Sequence, residues 1–197
     1  MPDGDGTPVA ATRPKRADAR RNEAALLDAA AAVFVRSGVE APIRDIATQA
    51  GVGTATIYRH FPTRAHLILA VYSHQVRALT EAGPALLASS ADPHVALGLW
   101  FELFVDFLVT KHGLAAVLQS DDPCFDPLHS YFLKRVVPVC AQLLETAAAA
   151  GQIRAGQHPH ELMRGVASLC AGARGGAGPY DARRLVNILI GGLRRPI

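Results

Sequence analysis

Residues 43–64 read Ile43-Arg44-Asp45-Ile46-Ala47-Thr48-Gln49-Ala50-Gly51-Val52-Gly53-Thr54-Ala55-Thr56-Ile57-Tyr58-Arg59-His60-Phe61-Pro62-Thr63-Arg64. In the first half of this stretch, the apolar residues Ile46, Ala47 and Ala50 recur at helical spacing. Gly51 follows directly and can adopt the left-handed conformation that ends many helices. The stretch therefore predicts two short helices joined by a tight turn, and the other elements of the chain are arranged around this pair.

The second of these helices is expected to have Gly53 or Thr54 as its cap and to end at Pro62. Ile57 and Phe61 form an apolar i, i+4 pair that would face the first helix. Because this pair buries one face, the other face is left with small and polar side chains: Thr54, Ala55, Thr56, Tyr58, Arg59 and His60.

Such an outer face suits a DNA groove. Hydroxyl groups and a guanidinium can bind phosphates and base edges, and the small Ala55 would let the helix approach the duplex closely. An ordinary helical hairpin with a solvated polar face has a similar composition and is the alternative interpretation.

The order of residues resembles the DNA-binding domain of the TetR (tetracycline repressor-like) family of bacterial transcription regulators. The resemblance extends over about residues 18–72 and is carried by Ile46-Ala47, Ala50-Gly51-Val52, Thr56-Ile57-Tyr58, His60-Phe61 and Leu67. The chain departs from the family at Gly53, Ala55 and Arg64, where Ser, Gly and Lys are usual. The resemblance implies a homodimeric regulator, for which we expect a repressor that a small-molecule effector releases from a double-stranded, palindromic DNA operator.

The resemblance and the exposed pattern together predict the DNA contacts. Base-edge contacts are expected from Arg44, Thr54, Ala55, Tyr58 and Arg59. Phosphate contacts are expected from Thr56, His60 and Arg64, and Gly53 is also included among the DNA-binding residues. The charge agrees with this placement, because residues 13–64 hold nine Arg and Lys against five Asp and Glu, whereas the whole chain has a net charge of only +3.

We predict an all-α chain in three parts. A disordered basic N-terminal arm covers residues 1–17, a three-helix helix-turn-helix domain covers residues 18–62, and a helical ligand-binding and dimerisation domain covers residues 63–197. Gly83-Pro84 is expected to break one helix and Pro138 to kink another. Beyond the recognition pair, helices are expected over residues 18–37, 63–81, 95–111, 127–150, 159–174 and 182–194, with a short segment at 114–118.

Residues 95–111 are apolar on nearly every face and predict a central, buried helix. The aromatic residues on and after this helix are explained equally well as simple core. The family resemblance implies that some of them line an effector pocket, and their apolar character favours an aromatic or lipophilic ligand. The predicted pocket residues are Trp100, Phe104, Phe107, Phe132 and Met163.

Of the last two predicted helices, the second is apolar on more than one side. One face would pack on its own subunit and another on a partner, giving a four-helix bundle about a two-fold axis. A terminal hairpin buried within one chain is the alternative. The predicted interface residues are Leu162, Val166, Leu169, Leu185, Leu189 and Leu193.

The sequence carries no motif for catalysis, a cofactor or a metal. Eight histidines are present, but the HExxH, GxSxG and Cys–His spacings are not, and His158 and His160 flank a proline at a turn where we expect them to be solvated. We therefore predict neither an enzyme nor a metalloprotein. A small-molecule-binding protein of the same fold that no longer uses DNA is the alternative function.

Cellular location is predicted from cysteine usage and hydropathy. Cys124, Cys140 and Cys170 are odd in number and lie in apolar surroundings, which favours buried thiols in a reducing cytoplasm. No signal peptide is visible, and the longest apolar run, residues 95–109, is expected to be too short and too charged to span a bilayer. We predict a cytoplasmic protein that has no membrane partner.

Overall fold

A computed structural model describes residues 12–113, 128–172 and 180–195 of the protein. Within these ranges the regular structure is entirely helical, which confirms the predicted all-α class. The predicted short segment at 114–118 and Cys124 lie outside the described residues. The helices are α1 Thr12–Ser37, α2 Ile43–Ala50, α3 Thr54–His60, α4 Arg64–Ser89, α5 Pro93–Gly113, α6 Leu128–Ala149, α7 Pro159–Gly172 and α8 Ala182–Gly191.

Helix α1 begins at Thr12, earlier than the predicted start at Asp18. Pro14 does not prevent this, because a proline in the first turn replaces an N–H group that has no intrahelical acceptor. Helix α1 therefore begins within the stretch predicted as the N-terminal arm, residues 1–17. Residues 1–11 lie outside the described part of the chain.

The turn between α2 and α3 has the predicted geometry. Gly51 is left-handed, with φ of 66°. Its N–H group donates to Thr48 O at 3.3 Å, and the N–H group of Val52 donates to Ala47 O at 3.0 Å. This pair of bonds satisfies the last carbonyls of α2 and sets the direction in which α3 leaves. Gly53 is then the N-cap of α3 in an extended conformation.

Side chains from α1, α2 and α3 share one buried cluster. The predicted apolar pair of α3 is confirmed, because Ile57 is 1% exposed and Phe61 is 7% exposed. Opposite them, Phe34 of α1 and Ile46 of α2 are fully buried. The three helices therefore hold α3 by its inner face and leave its outer face free.

Helix α4 continues to Ser89, so the predicted break at Gly83-Pro84 is wrong. Packing explains the difference. A Cβ atom at Gly83 would collide with the side chain of Val139 on α6, so glycine allows the two helices to approach closely. One turn before Pro84, the indole N–H of Trp100 donates to Leu79 O at 2.9 Å. Contacts from α5 and α6 thus keep α4 helical through Pro84, a residue that would break an isolated helix.

Helix α5 is the central helix of the second domain and contacts α1, α4, α6, α7 and α8. Its window Pro93–Thr110 is long and apolar enough to cross a membrane by length and composition alone, which corrects the expectation that its apolar run is too short. Because 56% of this window is buried inside the protein, its apolar character is explained by its central position.

Helix α8 packs along α5 and is held at both ends. At one end, Arg183 pairs with Glu102 at 2.8 Å and also with Asp106. At the other end, His94 Nε2 lies 2.9 Å from Ile190 O, and Arg194 binds His94 Nδ1 at 3.1 Å. The predicted end of α8 at residue 194 is three residues too late, because the helix ends at Gly191 and Arg194 forms an isolated antiparallel bridge with Ile153.

Two of the three cysteines fall within the described residues, and both are free and buried as predicted. Burial raises the pKa of Cys140 to about 12 and also raises the pKa of Cys170. A raised pKa lowers the thiolate fraction at neutral pH, so these two residues have the chemistry of structural thiols.

Candidate nucleic-acid interface and effector cavity

The outer face of α3 carries the side chains predicted for DNA contact. Thr54, Ala55, Arg59 and His60 are exposed, and Thr56 is half-buried. Tyr58 is 53% exposed, which is unusual for a large aromatic side chain. The structure therefore brings these residues together on one accessible surface.

Arg44 is also accessible, with 82% of its side chain exposed in the first turn of α2. Its Nε lies 3.5 Å from the exposed carboxylate of Asp45. A contact of this kind between exposed groups contributes little energy, so the guanidinium is available to another anion.

Arg64 makes hydrogen bonds within its own chain that the sequence did not predict. Its Nη1 group donates to Val39 O and, at 3.0 Å, to Ala41 O. The side chain thus ties the start of α4 to the loop between α1 and α2, and it is half-buried there. Sequence reasoning missed this role because the two acceptor residues lie 25 and 23 positions before Arg64 in the chain.

Two further contacts hold the helix-turn-helix against its neighbours. Arg36 of α1 donates to Gln49 of α2 at 3.3 Å. His74 of α4 lies 3.0 Å from Asp28 of α1. Arg64 and the contact between His74 and Asp28 thus attach α4 to the domain that presents α3.

A cavity of about 260 Å³ lies in the second domain, between α5, α6 and α7. Four of the five predicted pocket residues line it together. They are Phe104, Phe107, Phe132 and Met163, which come from three different helices.

The aromatic wall of this cavity is a stack of three phenyl rings. The ring of Phe132 lies 5.1 Å from Phe107 and 6.2 Å from Phe104, and the rings are nearly parallel. All three side chains are at most 7% exposed.

Trp100, the fifth predicted pocket residue, does not line the cavity. It is fully buried behind Phe104, with its ring stacked 5.8 Å from that phenyl. The assignment of Trp100 to the pocket is corrected, because its indole N–H is used in the bond to α4.

Three polar side chains that the sequence analysis did not select also line the cavity: His129, His160 and Arg164. All three are exposed, whereas the phenyl rings are buried, so the polar groups mark the outer end of the cavity. The sequence does carry a signal for His160 and Arg164, the two that lie on α7. His160, Met163, Arg164 and Ala167 follow an i, i+3, i+4, i+7 pattern, which places them on one face of α7.

Tyr72 connects α4 to the cavity wall. This buried side chain donates from its hydroxyl to Leu128 O at 3.4 Å, next to His129. Its ring meets Phe107 edge-on, with centroids 5.7 Å apart. Burial, with a smaller contribution from Tyr131, raises the pKa of Tyr72 to about 12, so the hydroxyl remains protonated and available as a donor.

The predicted dimer-interface residues lie on α7, on α8 and just after it, but they do not form one exposed face. Val166 is fully buried within its own chain, which removes it from any interface with a partner. Leu162, Leu169, Leu189 and Leu193 are half-buried against the core of the same chain, and Leu185 is half-buried as well. The residue that points outward is Ile188, which is 60% exposed and which the prediction omitted.

Comparison with known proteins gives matches to both domains. Residues 26–71 match the family described as bacterial regulatory proteins, tetR family. Residues 92–195, more than half of the chain, match the C-terminal domain of SbtR-like transcriptional regulators. The chain belongs to the TetR family. The resemblance inferred from residues 43–64 is thus confirmed, and the protein is a TetR-family transcriptional regulator.

Individual TetR-family proteins are similar over most or part of the chain. The crystal structure of the TetR transcriptional regulator SCO0520 from Streptomyces coelicolor is 32% identical, with a TM-score of 0.78, covering 89% of this chain and 99% of that one. The TetR regulatory protein from Mycobacterium vanbaalenii is 29% identical, with a TM-score of 0.67 and coverage of 92% and 100%.

A curated relative is the HTH-type transcriptional activator FasR of Mycolicibacterium smegmatis. It is 37% identical over 106 residues, which is 53% of this chain and 48% of that protein. The chain thus matches about half the length of this relative.

Proposed function

We propose that this TetR-family regulator binds a near-palindromic DNA operator as a homodimer and leaves it when a small, largely apolar molecule occupies the cavity between α5, α6 and α7. The observation that carries the proposal is the position of α4. This helix starts directly after the recognition helix, and its Tyr72 contacts the cavity wall.

The DNA-binding part of the proposal rests on the exposed face of α3. Arg59 offers a guanidinium of the kind that binds guanine edges, and the hydroxyl of Thr54 can serve bases or phosphates. Arg64 is left out of the contact set as a positioning residue, because it is bonded to two backbone carbonyls. The proposed contact residues are Arg44, Gly53, Thr54, Ala55, Thr56, Tyr58, Arg59 and His60.

We propose that the effector binds more tightly to the conformation that does not bind DNA. A ligand shifts the equilibrium between two conformations only if it binds one of them better. A molecule inside the cavity would press on Phe107 and therefore on Tyr72, which belongs to the helix that carries the DNA-reading head. Arg64 and the contact between His74 and Asp28 would pass a movement of α4 to that head.

The dimer part of the proposal rests on surface features of α7 and α8. Ile188 is an exposed aliphatic side chain on the opposite side of α8 from the buried Val186 and Ile190. On α7, a Cβ atom at Gly165 would meet nothing within 4 Å in the same chain, so there is space beside it for a partner helix. Both features support an interface formed by these two helices from each subunit.

Replacing Ile188 with Asp tests this interface. We expect the fold to persist, because the side chain is exposed in one chain, and the dimer to dissociate, because two unpaired carboxylates would be buried. A penalty of about 3 kcal/mol or more corresponds to a dissociation constant raised by about a hundredfold or more. Sedimentation velocity over a range of concentrations measures the change.

The matched control for this test is Val35→Asp on α1, which alters another exposed aliphatic side chain that is 43% exposed. This variant should sediment like the unaltered protein. An Ile188→Asp protein that remains dimeric at the same concentrations would show that the subunits meet elsewhere.

The direction of regulation is tested separately. We propose repression, in which the bound dimer blocks transcription from its operator, whereas FasR is named as an activator. A reporter gene behind the operator should become more active when the regulator is absent. A reporter that loses activity would make the protein an activator like FasR.

Selection of bound sequences from random duplex DNA is the experiment for the proposal as a whole. We expect a palindromic motif with half-sites about one helical turn apart, at about 34–36 Å. The affinity for that motif should fall steeply with salt, because each phosphate contact releases a counterion. Weak binding without sequence preference would instead favour a ligand-binding protein that no longer uses DNA.

A further inference from the structure

We infer that the cavity between α5, α6 and α7 takes a compact organic monoanion, a carboxylate with an apolar body of about ten heavy atoms, whose charged group is held by Arg164 together with His129 and His160. This inference deepens the proposed function, because it names the chemical class of the effector for the same cavity.

The inner end of the cavity accepts only apolar groups. The stacked rings of Phe104, Phe107 and Phe132 form one wall, and Met163 closes it from α7. A charged group placed among these buried side chains would lose its hydration without gaining a partner. The apolar body of the ligand therefore belongs at this end.

The outer end of the cavity offers donors for an anion. Arg164 presents a guanidinium, which binds a carboxylate through two parallel hydrogen bonds. None of the ion pairs formed among the described residues uses Arg164. His129 and His160 add ring nitrogens from α6 and α7, so groups from two helices surround the same opening.

The lining argues against other ligand classes. Aromatic walls alone would also suit a quaternary ammonium ion, through attraction to the ring faces. Here, a cation would be brought against the permanent charge of Arg164, and the described residues that line the cavity include no carboxylate to balance it. A neutral apolar molecule would fill the inner end and leave the guanidinium unused.

The volume of the cavity limits the size of the ligand. A dry cavity of roughly 150 Å³ binds benzene, which has six heavy atoms. In proportion, the 260 Å³ found here accommodates about ten heavy atoms. Phenylacetate and octanoate both have this size and both carry one carboxylate. They differ in the apolar body, so using both as probes separates an aromatic from an aliphatic ligand.

The protein contains its own reporter for this test. Trp100 is the single tryptophan of the chain, and its ring stacks on Phe104, which lines the cavity. Occupation of the cavity should therefore change the tryptophan fluorescence. Isothermal titration calorimetry on the same samples measures affinity independently of any optical change.

The test compares acids with neutral molecules of the same shape. At least one of phenylacetate and octanoate should bind, and it should bind about ten to a hundred times more tightly than its amide, as expected for hydrogen bonds to a charged group. Arg164→Ala should remove most of this difference by weakening the acid and leaving the amide unchanged. Lys134→Ala is the matched control, because it removes one exposed positive charge from α6 outside the cavity.

Four results would overturn the inference, and the first three concern the acids. They are the failure of both acids to bind at about 10 mM, equal affinities for acid and amide, and an acid affinity that Arg164→Ala does not change. Tighter binding of 2-phenylethylamine than of phenylacetate would overturn it as well. Operator binding is measured separately, so a protein that binds the acid but no operator would contradict the proposed function and leave the anion site standing.

Discussion

Replacing Tyr58 with Ala is expected to weaken binding of the selected operator by about thirtyfold to a thousandfold. In the proposed homodimer, two recognition helices bind the operator, so the substitution removes a contact at both half-sites. A loss of about 1–2 kcal/mol at each half-site gives about 2–4 kcal/mol for the complex. Fluorescence anisotropy with a labelled operator at fixed salt concentration measures the change, since affinity depends strongly on salt.

The fold of the Tyr58→Ala protein should be intact, because the side chain is 53% exposed and lies on the face of α3 away from the core. Thermal unfolding and sedimentation check this point. Tyr58→Phe separates the hydroxyl from the ring, and Val35→Ala truncates another exposed side chain of the same domain as a control. Unchanged operator affinity in Tyr58→Ala would remove this residue from the DNA interface.

The second large effect is expected from Trp100→Ala, which should lower the free energy of unfolding by about 3–5 kcal/mol. The side chain is fully buried, stacks on Phe104 and bonds to Leu79 O. Its removal leaves a cavity at the junction of α4 and α5. A loss of this size is a large share of the roughly 5–15 kcal/mol that stabilises a typical folded protein.

Denaturant unfolding followed by circular dichroism measures this loss. All variants are compared at one protein concentration, because the stability of the proposed dimer would depend on concentration. Leu99→Ala is the matched control on the same helix. Its side chain is 48% exposed, and the expected loss is below about 1 kcal/mol. Trp100→Phe keeps a ring and loses the hydrogen bond, so it should fall between the two at about 1–3 kcal/mol. Similar stabilities for Trp100→Ala and Leu99→Ala would contradict the central role of the indole.

The sequence predicted most of what depends on neighbours along the chain. The turn at Gly51 and the buried pair of Ile57 and Phe61 follow from local backbone preferences and helical periodicity, and both are found in the structure. The outer face of α3 is predicted in the same way, because the residues that are not on its buried inner face must lie on the outer one. The apolar character of α5 likewise predicted a central helix, since a helix without a polar face must be covered on all sides.

The errors occur where residues far apart in sequence meet. Pro84 should end a helix by its own chemistry, yet contacts from Val139 and Trp100 keep α4 continuous. Arg64 is predicted as a phosphate ligand, and the sequence did not show that carbonyls of the loop between α1 and α2 accept hydrogen bonds from its Nη1.

The sequence by itself determined the helix-turn-helix, the all-α class and the apolar nature of the second domain, because local propensity and periodicity encode them. Tertiary structure alone decided which side chains share a cavity and which apolar side chains remain exposed. Phe104 and Trp100 are equally aromatic and four positions apart, but the direction from which α4 approaches puts only Phe104 on the cavity wall. In the same way, Val166 and Ile188 are both aliphatic, and packing within the chain buries the first and exposes the second.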